Sequence, residues 1–157
     1  MFFISLIKSF RNAFRGLSST IRRERNFRIH ISATILVTYF GSLYGLEKTE
    51  WVLLILIISA MLAVELFNTS IEETIDFFCS KKNDCAKRAK DVAAAGVLVP
   101  SIAAVVSAIM LFSDLDKLKN AFSLMFSYPR VFILVGILIF SIIFVLSFKK
   151  DCKEKKY

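Results

Sequence analysis

Glycine-rich phosphate loops are missing from this sequence. Only five glycines occur in 157 residues, and neither a G-x-x-x-x-G-K-[ST] pattern nor a glycine-rich kinase-type loop is present, so any phosphate chemistry needs another scaffold. The three cysteines, Cys79, Cys85 and Cys152, are odd in number and lack zinc-ligand spacing. They are read as structural or incidental free thiols, not as a metal site. Acidic residues are scarce beside basic ones, 13 against 21, for a net charge of +8. The basic residues flank apolar runs instead of forming a patch on a soluble surface, which excludes nucleic acid as the partner and points to membrane topology. A secretory signal is also lacking. No positive region precedes the first apolar residues, and Lys8 and Arg11 interrupt them, so the N-terminus is expected to be retained. There is no internal repeat and no low-complexity segment.

What the sequence has in quantity is apolar surface: 56% hydrophobic residues and a mean hydropathy of +0.62. That composition and length fit one small all-α integral membrane domain. Phe3, Ile7, Phe10, Phe14, Leu17 and Ile21 recur at spacings of three and four, with Lys8, Arg11, Arg15 and Arg22 on other faces. This is a basic amphipathic helix suited to the lipid interface or to packing on the rest of the chain, and with Glu24 it makes a first segment, 1–26. A three-span core is expected over 27–112: Phe27 to Leu46, then Trp51 to about Cys79, then Asp91 to Phe112 with Gly96 and Pro100 inside it. A polar turn, Glu47 to Glu50, and a basic loop, Lys81 to Lys90, separate these spans. Pro100 is expected to kink or loosen its helix. A loop with some amphipathic character, 113–128, leads to an additional transmembrane helix, 129–148, and a basic tail, 149–157.

Placing both termini and the Lys81–Lys90 loop on one side puts seventeen Lys and Arg there against four opposite. The positive-inside rule then makes that side cytoplasmic. The chain is expected to be a multi-pass protein of a bacterial cytoplasmic membrane.

The second span becomes acidic too early. Trp51 to Val64 carries no charge and covers about 21 Å of a hydrocarbon core of about 30 Å. If the helix continues, Glu65 lies inside the inner leaflet and Glu72 near its surface. Glu65, Asn68, Glu72 and Asp76 fall on one helical face. A carboxylate at that depth costs at least about 2.5 kcal/mol unless it faces protein, water or a metal. Glu24 before the first span and Lys90-Asp91 at the start of the third reach the same membrane edge. Carboxylates beside basic residues suit a magnesium–phosphate site, where hard oxygen ligands hold the metal and Lys or Arg neutralises phosphate charge. Arg25 and Arg28 are left open between phosphate contact and topological anchoring. His30 reads as a packed or interfacial histidine, and Glu73, about 80° round the helix from Glu65, as a solvated or interface charge.

Three segments resemble one family. Glu65-Leu66-Phe67-Asn68-Thr69-Ser70-Ile71-Glu72-Glu73-Thr74-Ile75-Asp76 is similar to the E-x-x-N-[ST]-[AS]-I-E-x-x-x-D signature of the small prokaryotic diacylglycerol and undecaprenol kinases. Ala89-Lys90-Asp91-Val92-Ala93-Ala94-Ala95-Gly96-Val97 resembles their A-K-D-x-x-[AS]-[AG]-[AG]-V segment. Glu24-Arg25-Asn26-Phe27-Arg28-Ile29-His30 resembles a stretch seen mostly in the undecaprenol kinase branch. The resemblance covers about residues 10 to 112. It implies an ATP- and magnesium-dependent lipid kinase that forms a homotrimer, with sites between helices of neighbouring subunits. By position, it implies that Glu24 and Glu72 hold magnesium on the ATP phosphates and that Glu65 is the catalytic base at the lipid hydroxyl, supported by Asn68. Asp76, Lys90 and Asp91 would line the nucleotide site. The lipid alcohol is expected to be undecaprenol, with diacylglycerol as the alternative. The fourth span lies outside the usual three-span domain and leaves the assembly less determined.

A non-enzymatic reading, an ion-conducting bundle or scaffold, remains the competitor. An ion path would continue polar groups across the bilayer, yet Trp51 to Val64 offers only Ser59, which favours a site open to one side.

Overall fold

A computed structural model describes residues 2–79 and 83–147, which form six helices and, among the described residues, no strand. The expected tail 149–157, with Cys152, and part of the Lys81–Lys90 segment lie outside the described residues. Helix α1, Phe2–Arg23, turns Ile4, Ile7, Phe10 and Phe14 away from the rest of the chain. Its apolar face is therefore free to meet lipid, and only its last turn, from Ser19, is partly covered.

Helix α2, Arg25–Tyr44, and helix α3, Lys48–Phe78, form a tight hairpin. Gly45 takes a left-handed φ of 76°, and the Gly45 and Leu46 N–H groups both donate to the Gly41 carbonyl, at 3.1 and 3.3 Å. Gly41 lacks the Cβ that would stand 2.8 Å from Leu46 Cδ1, so Leu46 can fold back against α2. Glu47 and Glu50 then make a reciprocal capping box, with the Glu47 N–H 2.7 Å from Glu50 Oε2. The polar residues expected as a turn thus begin the next helix. At 31 residues, α3 is about 46 Å long, more than the hydrocarbon core requires.

Helix α4, Asp84–Leu111, begins well before the expected Asp91. Its N-cap is Asn83, whose side chain accepts from the Cys85 N–H at 2.9 Å, and Asp84 sits favourably in the first turn. Much of the expected basic loop is therefore the first turns of a helix. The helix runs unbroken through Pro100, and the Ser101 hydroxyl donates to the Val97 carbonyl at 2.8 Å.

The expected loop 113–128 contains a helix, α5, Leu115–Met125. Asp114 caps it by accepting from the Asp116 and Lys117 N–H groups, both at 3.0 Å. Ala121 is fully buried and joins Tyr44, Leu46 and Leu54 in the main apolar cluster. Phe112 stands edge-on to Phe40 and Tyr44, with centroids 5.1 and 5.0 Å away, and the Asp114 N–H donates to Tyr44 Oη at 3.0 Å. Helix α6, Arg130–Leu146, packs along α2, with Tyr39 Oη donating to the Arg130 carbonyl at 3.0 Å.

Helices α3 and α4 are each long and apolar enough to cross a membrane, and α5 with α6 makes a pair bent by 84° that qualifies jointly as a third span. Helix α2 is more polar, with Arg25, Arg28 and His30 near its start, and runs beside α3.

Candidate functional site

The charged stripe lies on unbroken α3. Taking Trp51 as one interface, about 20 residues of helix cross the hydrocarbon core, which sets Glu65 about 9 Å inside the opposite boundary and Glu72 at that boundary. Glu65 is 3% exposed, with Asn68 and Thr69 also buried, Glu72 half-buried and Asp76 exposed. Burial along the stripe thus decreases toward its charged end.

Asn68 Nδ2 donates to Glu72 Oε1 at 3.0 Å, one helical turn away. Asn68 Oδ1 is buried and, among the described residues, has no partner. A buried oxygen without a donor is costly in a finished core. Glu24 and Glu72 both lie within electrostatic reach of Glu65, so three carboxylates from two parts of the chain converge. Glu24 occupies the N-cap position of α2 but makes no side-chain capping bond, leaving its carboxylate for another role.

Asp76 pairs with Lys90, joining the end of α3 to the start of α4. Asp91 is exposed and makes no hydrogen bond or ion pair among the described residues. The structure therefore brings Glu24, Glu65, Asn68, Glu72, Asp76 and Lys90 to one end of the helices, with Asp91 at the edge. Glu73 faces away, in an exposed 3.9 Å pair with Arg23, a contact of small energetic weight.

Among the described residues, no three His, Cys, Asp or Glu side chains stand close enough to hold a metal by themselves. The donors present still fit magnesium, which is commonly held by one or two carboxylates together with substrate phosphates. Glu24, Glu72 and the unpartnered Asn68 Oδ1 are hard oxygen donors of the required kind.

Two features were not read from the sequence. An apolar groove of about 230 Å³ opens between α2, α3 and α4, bordered by His30, Val37, Ile58, Met61, Ser101 and Leu111. Its end at Met61 and Leu62 lies one turn from Glu65, and His30, also on its border, is half-buried, as expected. The second is Arg28, 2% exposed. Its Nη1 donates to the Ile21 and Arg22 carbonyls at 3.0 and 3.1 Å, and its Nη2 to the Val145 carbonyl at 3.3 Å. An arginine within an apolar span was the available signal, but nothing in a sequence separates a phosphate partner from a carbonyl partner.

Comparison with known proteins bears on the same segments. The sequence profile of prokaryotic diacylglycerol kinase matches residues 11–112. An undecaprenol kinase of Bacillus subtilis is 40% identical over 105 residues, 67% of this chain and 85% of that protein. A diacylglycerol kinase of Synechocystis is 38% identical over 103 residues, 65% of this chain and 59% of that longer protein. The diacylglycerol kinase of Escherichia coli K12 is 30% identical over 112 residues, 71% of this chain and 92% of its own. No solved structure matches the chain. The profile stops at the end of α4, so α5 and α6 stand outside the shared region. With the matched region spanning α2, α3 and α4 and most of α1, the chain belongs to the prokaryotic diacylglycerol kinase family of membrane lipid kinases.

Proposed function

We propose that this protein transfers the γ-phosphoryl group of ATP to the hydroxyl of a membrane lipid alcohol, undecaprenol in preference to diacylglycerol. The observation that carries this reading is a buried carboxylate, Glu65, on the same helical face as the Asn68–Glu72 pair and the exposed Asp76. One helix thereby connects hydrocarbon depth, where a lipid alcohol resides, with the surface where a nucleotide arrives. The apolar groove beside Glu65 supports a hydrocarbon chain lying against α2, α3 and α4.

In this mechanism Glu65 accepts the proton of the lipid hydroxyl as that oxygen forms its bond to the γ-phosphorus. The bond between the γ-phosphorus and the β–γ bridging oxygen breaks, and ADP leaves with that oxygen. Asn68 holds Glu72 through its amide. Glu24 and Glu72, with Asn68 Oδ1 nearby, would hold a magnesium ion, which when bound neutralises phosphate charge. Lys90 is placed to meet phosphate oxygens once these compete with Asp76 for its ammonium group. Asp76 and Asp91 border the nucleotide.

Undecaprenol is preferred because the Glu24–His30 segment resembles that branch; identity adds only a small margin, 40% to the Bacillus subtilis undecaprenol kinase against 38% and 30% to the diacylglycerol kinases of Synechocystis and Escherichia coli. We place the site and both termini on the cytoplasmic side of the bacterial inner membrane, from the distribution of basic residues. The working unit is taken as a homotrimer, which must bury surfaces other than the strip of α2 that α6 covers.

Purified protein given γ-labelled ATP, magnesium and either undecaprenol or diacylglycerol in mixed micelles tests the reading. Label should enter undecaprenol faster. Label entering neither lipid would overturn the kinase assignment, and faster labelling of diacylglycerol would overturn the substrate preference.

A further inference from the structure

Arg28 lies where two helices end. Helix α1 stops at Arg23, which strands the carbonyls of its last turn; the Glu24 N–H takes Thr20 O at 2.8 Å, while Ile21 O and Arg22 O receive Arg28 Nη1. Helix α6 stops at Leu146, and its Val145 carbonyl receives Arg28 Nη2. One buried cation thus meets the negative ends of two helix dipoles, an arrangement that complements both. The planar guanidinium suits this task because its donors diverge in fixed directions, which a lysine ammonium does not reproduce.

The α2–α6 contact continues beside the clamp through small buried residues whose hydroxyls have no hydrogen-bond partner among the described residues. Ser32, one turn further along α2, and Ser141, one turn back along α6, are both buried. Small side chains at these positions let the two helices approach along their length. Arg28, Ser32 and Tyr39 lie roughly opposite His30, Thr34 and Val37 on α2. Helix α6 therefore covers the side of α2 that faces away from the groove.

From this geometry we infer that Arg28 is a positioning residue for the metal–nucleotide site and that α6, outside the shared family region, supplies part of its anchorage. The link runs from the Val145 carbonyl through the guanidinium to the last turn of α1, which ends immediately before Glu24. Holding that turn fixes the point at which the Glu24 carboxylate enters the group formed with Glu65 and Glu72. This inference rests on the proposed kinase reading for its functional meaning.

The test uses the full-length protein with Arg28→Gln, Arg28→Lys and Ser141→Phe. The last substitution wedges the α2–α6 contact without touching a charged residue. Two quantities are read: amide hydrogen exchange over residues 20–26, and the magnesium concentration giving half-maximal lipid phosphorylation. Loss of hydrogen bonds from a charged donor corresponds to about a tenfold effect on the equilibrium they support. Arg28→Gln should therefore speed exchange at residues 20–26 and raise the magnesium requirement about tenfold, with KM for the lipid unchanged. Arg28→Lys should recover part of both effects, and Ser141→Phe should shift both in the same direction as Arg28→Gln. Phe140→Ala, at an exposed position of α6, should shift neither.

If wild-type protein phosphorylates lipid but Ser141→Phe leaves exchange and magnesium requirement unchanged, α6 has no part in the clamp and the inference fails. If Arg28→Gln lowers the amount of folded protein without changing the magnesium requirement of what remains, Arg28 is only structural and the inference fails. Absence of phosphorylation by wild-type protein would instead remove the kinase reading itself.

Discussion

Replacing Glu72 by Gln should separate stability from activity. The side chain is half-buried and accepts a 3.0 Å hydrogen bond from Asn68 Nδ2. Gln keeps the shape and an acceptor oxygen but removes the charge. A bond to a charged partner is worth about 1.5–3 kcal/mol and a neutral one about 0.5–1.5, so the exchange should cost about 1 kcal/mol of folding stability. Relief of the repulsion between Glu72 and Glu65 acts in the opposite direction, bringing the net change below about 1 kcal/mol, a small fraction of a domain's stability. Activity should respond quite differently. Loss of one of two carboxylates proposed to hold magnesium should lower the transfer rate by about 10³ or more, equivalent to roughly 4 kcal/mol in the barrier. The assay is label transfer from ATP at saturating magnesium, run beside thermal unfolding of the same micellar preparation. Transfer within about tenfold of wild type would refute the role of Glu72 in metal binding. A large fall in unfolding temperature with a proportionate fall in activity would show that Glu72 supports only the helix contacts.

Three further substitutions probe other parts of the reading. Glu65→Gln should stop transfer while leaving ATP affinity within about twofold of wild type, measured by equilibrium binding; retained transfer would remove Glu65 as the base. Lys90→Met breaks a pair that is partly exposed on both sides, so stability should change by no more than about 1 kcal/mol, whereas KM for ATP should rise about tenfold; an unchanged KM would place Lys90 outside the nucleotide site. Gly45→Ala imposes a side chain on a residue with φ of 76° and should destabilise the α2–α3 hairpin by about 1–2 kcal/mol, with no change in turnover per folded molecule, as read by thermal unfolding and specific activity.

The parts legible in the sequence were those governed by a local rule. Helical period alone aligned Glu65, Asn68, Glu72 and Asp76, and the structure keeps them on one unbroken helix. The fourteen uncharged residues before Glu65 set the expected depth of the stripe, and in the structure its burial within the protein decreases from Glu65 to Asp76. Helix α5 was read as a loop because it is 11 residues long, too short to be secured by propensity alone. Its order comes from distant partners: the buried Ala121 and the ring contacts of Phe112 and Phe122 with α2. The start of α4 was missed because Lys87, Arg88 and Lys90 carry a strong topological signal that masks the weaker cap at Asn83. Glu24 could be assigned to this end of the chain, but whether its carboxylate was consumed in capping α2 required coordinates. The unused cap is therefore the observation that supports its proposed role.

The length of α3 has a mechanical consequence. The 31 residues of α3, Lys48–Phe78, form one continuous rod with the Glu47–Glu50 capping box at one end and the Asp76 ion pair near the other, and a hydrogen-bonded helix does not shorten appreciably under load. Its Trp51 end is held by the packed hairpin, so on the topology proposed above the depth of Glu65 is set from the leaflet opposite the nucleotide. Changing the thickness of the bilayer must then tilt the rod or slide Glu65 past the plane of the lipid headgroups, at fractions of a kcal/mol for each ångström of mismatch. With Glu65 in the role proposed above, the chain would read the membrane as a depth gauge does, and acyl-chain length would become a setting on the reaction even when the reacting lipid is unchanged.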